Sequence, residues 1–423
     1  SARKDIWINS YPIFLWLALE PIVGLIDSKI ASIINLDTLS AIGIGETIYF
    51  VFIWVFIFLA YGTTPLVSSL NTKNEVNKLK YFIKFGRNVS ILLGLVSFLI
   101  LYITHDYLVS TFEPTNKIGV LSSNYLIFRC LGLPFYLVNM HSTAVLRGLK
   151  IAKITFYSAL IVSAFNIVFS LFFGLFLGFG AAGIGFASSL SFFCASIYST
   201  VVLKKQQNNF SPTTETVNKF SMRKKFFNVG VYILIRSLFL TLFMAYLRNR
   251  SSLMSMEEIA LQHILLQLWS VGYIFVDAIA IASQTLISEL ISKKEEYQKS
   301  ILQRELITVT TLISILLAIS TIIFLEEFVQ LFSSSSFNAL LNTNLKLMVA
   351  ASLLIGCFAF LWDGILLGLD KSKEFSLLTI SASISGFLIC NYLLKIDNTI
   401  TTLWISLNVS LIIRAVLGYL YQK

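Results

Sequence analysis

Apolar residues along this chain gather into twelve runs separated by short polar stretches. Each run is long enough for a hydrocarbon core, which takes about 20 helical residues. They fall at about residues 10–34, 44–70, 88–104, 119–145, 154–177 and 181–203, then 226–247, 260–291, 306–325, 345–368, 374–394 and 400–421. The pattern predicts an all-α polytopic membrane protein with twelve transmembrane helices. The first run is long and lacks a small-residue cleavage site, so no cleavable signal peptide is expected.

The runs also repeat. Residues 65–75 (PLVSSLNTKNE) match residues 285–295 (TLISELISKKE), and residues 145–153 (VLRGLKIAK) match residues 365–373 (ILLGLDKSK), both at an offset of 220. Each motif closes an apolar run and opens a lysine-bearing loop, so the two halves cross their surroundings in the same order and the same sense. Parallel repeats of this kind belong to transporters. The expected organisation is a first lobe over residues 1–205 with spans one to six, a cytoplasmic linker over 206–225 and a second lobe over 226–423 with spans seven to twelve. The linker is the longest polar stretch, KKQQNNFSPTTETVNKFSMRKK in residues 204–225.

Composition agrees: 56% of the 423 residues are hydrophobic and 13% are charged, against about 25% charged in soluble domains. A net charge of +10 raises the question of nucleic acid, and the positions of the 32 basic residues answer it. With the N-terminus inside, 23 of them fall on the cytoplasmic side and five (Lys117, Arg248, Arg250, Lys346, Lys395) on the other. That asymmetry is the positive-inside rule for both termini cytoplasmic. It argues against a nucleic-acid partner, and a plasma (inner) membrane is the expected location.

Several motifs carry no chemistry. Residues 178–183 spell GxGxxG but follow an apolar helix and lack the later acidic residue, so the glycines read as a tight turn between spans five and six. Asn88-Val-Ser90 and Asn408-Val-Ser410 are sequons at a cytoplasmic helix end and inside a helix. Cys130, Cys194, Cys357 and Cys390 lie singly in apolar runs and read as core thiols. The three histidines are scattered, and there is no P-loop, HExxH or GxSxG. No enzyme, metal site or cofactor is expected.

Ionisable residues inside spans cost about 2.5–3.5 kcal/mol each at a helix centre and are functional candidates by default. They are Glu20, Asp27, Lys29, Arg129, Arg236, Asp277, Asp363 and Arg414. Glu20, Gly24 and Asp27 share one helical stripe, whereas Lys29 is turned away and near enough to the outer end to snorkel. Pro21 removes a backbone hydrogen bond between the two acids and, with Gly24, marks a hinge. At about 1.5 Å per residue, Asp27 and Ser170 share a depth near the outer surface with Asn166 one turn deeper, so these three can form a polar cluster. By the same measure Arg236 pairs with Asp277 near mid-membrane and Asp363 with Arg414 nearer the cytoplasm. These pairs read either as glue between helices or as parts of a transport path.

The string Glu20-Pro21-Ile-Val-Gly24-Leu-Ile-Asp27 resembles the EPLxGLVDT of the multidrug and toxic compound extrusion (MATE) transporters, in their DinF-like branch. Gly62-Thr63-Thr64 with LVSSL, Val145-Leu-Arg147-Gly148-Leu, Asp277-Ala-Ile-Ala-Ile-Ala and Asp363-Gly364-Ile-Leu-Leu-Gly368 resemble further strings of that family, in order along the whole chain. The resemblance implies two six-helix lobes in a V, a central cavity and efflux of organic compounds driven by proton or sodium entry. It carries the coupling carboxylate onto Asp27 and its amide neighbour onto Asn166. The chain departs from the pattern at Ser170, where many relatives place a second carboxylate, and at Lys29, where a small residue is usual; Glu20 is the nearby acid that could substitute.

The leading expectation is a monomeric, proton-coupled antiporter in the bilayer that exports amphipathic, cationic organic molecules by alternating access. A sodium-coupled exporter and a flippase for a lipid-linked substrate are the alternatives. A flippase calls for a strongly cationic cavity, and the first half offers only Lys29 and Arg129 inside its spans.

Overall fold

A computed structural model describes residues 2–112, 115–208, 210, 217–251, 254–330 and 340–422, without the side chains of Glu20, Leu25, Leu36, Met256, Glu257, Ile259, Ala260 and His263. Every regular element among the described residues is helical. The first half contains α1 (Ala2–Ile34), α2 (Leu36–Val55), α3 (Phe58–Tyr61), α4 (Thr63–Thr72), α5 (Val76–Ser110), α6 (Asn116–Cys130), α7 (Leu133–Gly148), α8 (Lys153–Phe169), a π-helical segment (Ser170–Phe176) and α9 (Gly180–Asn208). The second contains α10 (Lys219–Ser251), α11 (Met256–Ser292), α12 (Glu296–Gln330), α13 (Thr343–Gly368), α14 (Ser372–Leu393) and α15 (Ile400–Gln422).

Among the described residues ten helical stretches are long and apolar enough to cross a membrane, with α2 to α4 counted as one, and the pair α6 and α7 makes an eleventh. The remaining expected span lies in α1, which runs unbroken through Pro12 and Pro21. The protein is therefore a multi-pass integral membrane protein. Two expected spans are not straight rods. Expected span two is broken at Phe56-Ile57 and at Gly62 into α2, α3 and α4. Expected span four bends by 44° between α6 and α7. The cause is local: Leu131-Gly132 interrupts the helix and Pro134 opens the next one.

Two compact units divide the chain, Leu15–Gly230 and Ser1–Phe14 with Val231–Lys423. The division falls inside α1 and inside α10, so residues 1–14 and 226–230 sit on the other side of it from the expected lobes, 1–205 and 226–423. Packing explains the first difference. Ile6 is fully buried in a cluster with Leu286, Leu302, Leu306 and Trp362, and Arg3 Nε donates to Glu305. Of the expected linker, α9 extends to Asn208 and α10 begins at Lys219, while residues 209 and 211–216 lie outside the described residues.

The offset of 220 is present in the backbone. Among the described residues four non-glycine residues have positive φ, all at helix ends, Asn74 (59°), Lys150 (63°), Lys294 (60°) and Asp370 (62°), and they form two pairs 220 apart. Each turn is closed by the same six-to-one hydrogen bond: Glu75 N to Leu70 O, Ile151 N to Leu146 O, Glu295 N to Leu290 O and Lys371 N to Leu366 O, at 2.8–3.0 Å. These are Schellman ends. Packing repeats as well. A Cβ on Gly148 would meet Thr64 O at 2.6 Å and Val67 at 2.8 Å, and one on Gly368 would meet Ile287 at 2.8 Å and Gln284 O at 3.2 Å. Within each unit, the same glycine position brings two helices into backbone contact.

Candidate functional site

In the unit Leu15–Gly230, Asp27 is 5% exposed, and the Ser170 hydroxyl donates to its Oδ1 at 2.9 Å. Ser170 opens the π-helical segment, a geometry in which α-helices are often interrupted at functional positions. Asn166, one turn earlier, is 3% exposed, and its Nδ2 donates to Ser188 Oγ on α9 at 2.8 Å. Its Oδ1 is buried and has no hydrogen-bond partner among the described residues. The cluster expected from helical stripe and depth is thus assembled by α1, α8 and α9 through direct contact. It presents one carboxyl held by a neutral donor, beside an acceptor with capacity to spare.

The other candidates of α1 divide. Lys29 is exposed. A Cβ at Gly24 would meet nothing within 4 Å, so no close packing requires glycine there. Glu20 belongs to α1, but its side chain lies outside the described residues.

Sequence reasoning missed Glu46 and made no use of Arg129 here. Glu46 stands on α2, where Tyr125 OH from α6 donates to its Oε1 at 3.4 Å. Arg129, one turn after Tyr125, lies over the ring of Tyr49 at 4.4 Å and over that of Phe192 at 5.5 Å. Its buried Nε has no hydrogen-bond partner among the described residues. Glu46 and Arg129 both interact electrostatically with Asp27. Tyr125 is packed between the two helices: a Cβ on Gly45 of α2 would meet its ring at 2.3 Å, and one on Gly185 of α9 its carbonyl oxygen at 2.6 Å. Glu46 falls two residues into the expected run 44–70, where it reads as an end residue; the observed α2 begins at Leu36, which places it well inside the helix.

In the second unit the expected pairing is corrected. Arg236 pairs with Asp363 and not with Asp277: Arg236 Nη2 donates to Asp363 Oδ2 at 2.8 Å. Arg414 donates to Oδ1 of the same carboxylate through Nε at 3.3 Å and to its Oδ2 through Nη2. The expected Asp363–Arg414 pair is present, enlarged to a triad. Depth supplied one coordinate only, and the long Arg236 side chain reaches Asp363 on α13, while its guanidinium also covers Phe375 of α14 at 4.8 Å. Asp277 has no hydrogen bond or ion pair among the described residues, although both arginines and Asp363 act on it electrostatically.

Comparison with known proteins gives a consistent answer. The MatE family model matches residues 12–172. The chain is 24% identical over 433 residues to Protein DETOXIFICATION 44, chloroplastic, of Arabidopsis thaliana, across 98% of this chain and 81% of that protein. It is 21% identical over 332 residues to Protein DETOXIFICATION 43 of the same plant, across 78% of this chain and 62% of that protein, less than two thirds of its length. Among solved structures, MATE in the bent conformation superposes with a TM-score of 0.90 at 16% identity, covering 100% of this chain and 94% of that one. A MOP superfamily transporter from Pyrococcus furiosus gives 0.88 at 17%, covering 100% and 95%. By sequence the chain matches the MatE family model over residues 12–172, and by fold it is similar to MATE transporters over its whole length.

Proposed function

We propose that this protein is a secondary active exporter of amphipathic, cationic organic molecules, driven by proton entry, with Asp27 as the group that carries the proton. The observation behind this reading is the buried Asp27 carboxyl, held by the Ser170 hydroxyl and without a salt bridge among the described residues. Such a group can take up a proton from one side and return it to water on the other when the site hydrates. Protonation removes the charge that attracts a cationic substrate or rearranges α1 at Pro21, so that proton and substrate compete in alternating access. Each then weakens the binding of the other by the same factor. The word detoxification in the plant relatives' names favours organic compounds as cargo.

The 23 to 5 split of basic residues supports both termini on the cytoplasmic side of a plasma or inner membrane. Lys219→Cys is then labelled only from the cytoplasm. The coupling itself is tested in reconstituted vesicles loaded with a cationic dye, with proton and sodium gradients imposed separately. Asp27→Asn, which mimics the protonated form, is expected to abolish proton-driven efflux while the protein remains folded. Normal efflux by this variant, or a wild-type response to sodium alone, would sink the proposal.

A further inference from the structure

The surroundings of Asp27 include two charged groups that act on it electrostatically, Glu46 and Arg129. From α1 the site receives Asp27, from α2 Glu46 and Tyr49, from α6 Tyr125, Arg129 and Cys130, from the end of α8 and the π-helical segment Asn166 and Ser170, and from α9 Ser188. An arginine is never deprotonated in proteins, so with both acids ionised these groups carry a net charge of one negative. A single positive charge completes the site.

We infer that Glu46 and Arg129 determine which cation the site accepts: Glu46 supplies a second carboxylate that Ser170 does not, and the Arg129 guanidinium supplies a fixed positive charge that disfavours a metal ion. This deepens the reading of Asp27 as the coupling group and rests on it. The geometry supports it from several directions. Tyr125 OH connects Glu46 to α6 at 3.4 Å, and the rings of Tyr49 and Phe192 fix Arg129 by its face. Asn166 Oδ1, buried and without a partner among the described residues, is an acceptor for one arriving O–H.

The electrostatic consequence is a choice of ion. A sodium ion has to shed its water, gather several oxygens and bring a full charge close to a fixed guanidinium at low dielectric, where like charges repel strongly. A proton needs only one carboxylate oxygen. It forms an O–H bond at Asp27 on arrival from water, and that bond breaks to water on the other side, leaving the carboxylate as before. Glu46 has a matching duty. It acts electrostatically on Arg129 and offsets its charge, so that Asp27 is not the guanidinium's only nearby counter-charge and stays available for exchange.

The test uses purified full-length protein, with dye export from vesicles under each gradient and radiosodium binding in detergent as a readout independent of transport. Wild type is expected to export with protons alone and to bind no sodium. Glu46→Gln should lower proton-driven export about tenfold, with Glu46→Asp restoring most of it and the double variant Glu46→Gln/Arg129→Gln exporting better than Glu46→Gln alone. Arg129→Gln should gain sodium binding and a response to the sodium gradient, and Arg129→Lys should gain neither. The inference is overturned if Arg129→Gln binds no sodium, or if Glu46→Gln exports as wild type does. Export by Asp27→Asn would instead remove the reading of Asp27, so the two failures are told apart. Should Glu46→Gln fail to fold, the neutralised double variant and the sodium-binding arm still decide.

Discussion

The two units hold their buried carboxylates in opposite ways. In the first, Asp27 is held by a serine hydroxyl at 2.9 Å and, among the described residues, by no salt bridge. In the second, Asp363 is clamped between Arg236 and Arg414. A carboxylate between two guanidiniums is tied to its charge, because protonating it would leave two cations facing each other in low dielectric. A carboxyl on a hydroxyl is not so tied. The internal repeat thus produced two similar packings and two different electrostatic elements, one suited to exchange and one to cohesion.

The comparison breaks most visibly in the second unit. Asp363→Asn is expected to cost about 3–5 kcal/mol, the penalty for stranding buried charge, and adding Arg414→Gln should recover part of it; thermal unfolding of the three proteins in detergent measures this. Asp277→Asn, which breaks no direct hydrogen bond or ion pair among the described residues but removes a carboxylate that acts on both arginines, should cost less than Asp363→Asn. If Asp277→Asn were the more damaging of the two, the triad would not be what holds this region. In the first unit Ser170→Ala removes one hydrogen bond and should cost about 1 kcal/mol, while the dependence of efflux on pH moves. An unchanged pH profile would mean that the Ser170 hydroxyl does not act on Asp27 during transport.

Most of the fold was legible because membrane crossing demands long apolar runs, and because the repeat keeps both halves in register. Helical interruptions were harder to see. Gly132 and Pro134 sit in a run that hydropathy alone draws straight, and nothing in residues 170–176 announces a π-helix. The Asp27, Asn166 and Ser170 cluster could be derived since stripe and depth together fix a position on facing helices. Glu46 escaped because hydropathy started its run at residue 44, when the observed helix begins at Leu36. Arg236 was given the wrong partner because depth says nothing about lateral neighbours, and an arginine side chain is long enough to choose among several.

The four left-handed turns also serve as a parity check on the path of the chain. In the second unit the turns at Lys294 and Asp370 are joined by α12 and α13, two unbroken helices that carry the chain away and back to the same face. Their counterparts at Asn74 and Lys150 are joined by α5 and the bent pair α6 and α7. Counted as two crossings, that pair would leave Lys150 on the opposite face from Asn74 and invert every crossing after it. The bend therefore belongs to a single traverse, and the two halves keep the same even count.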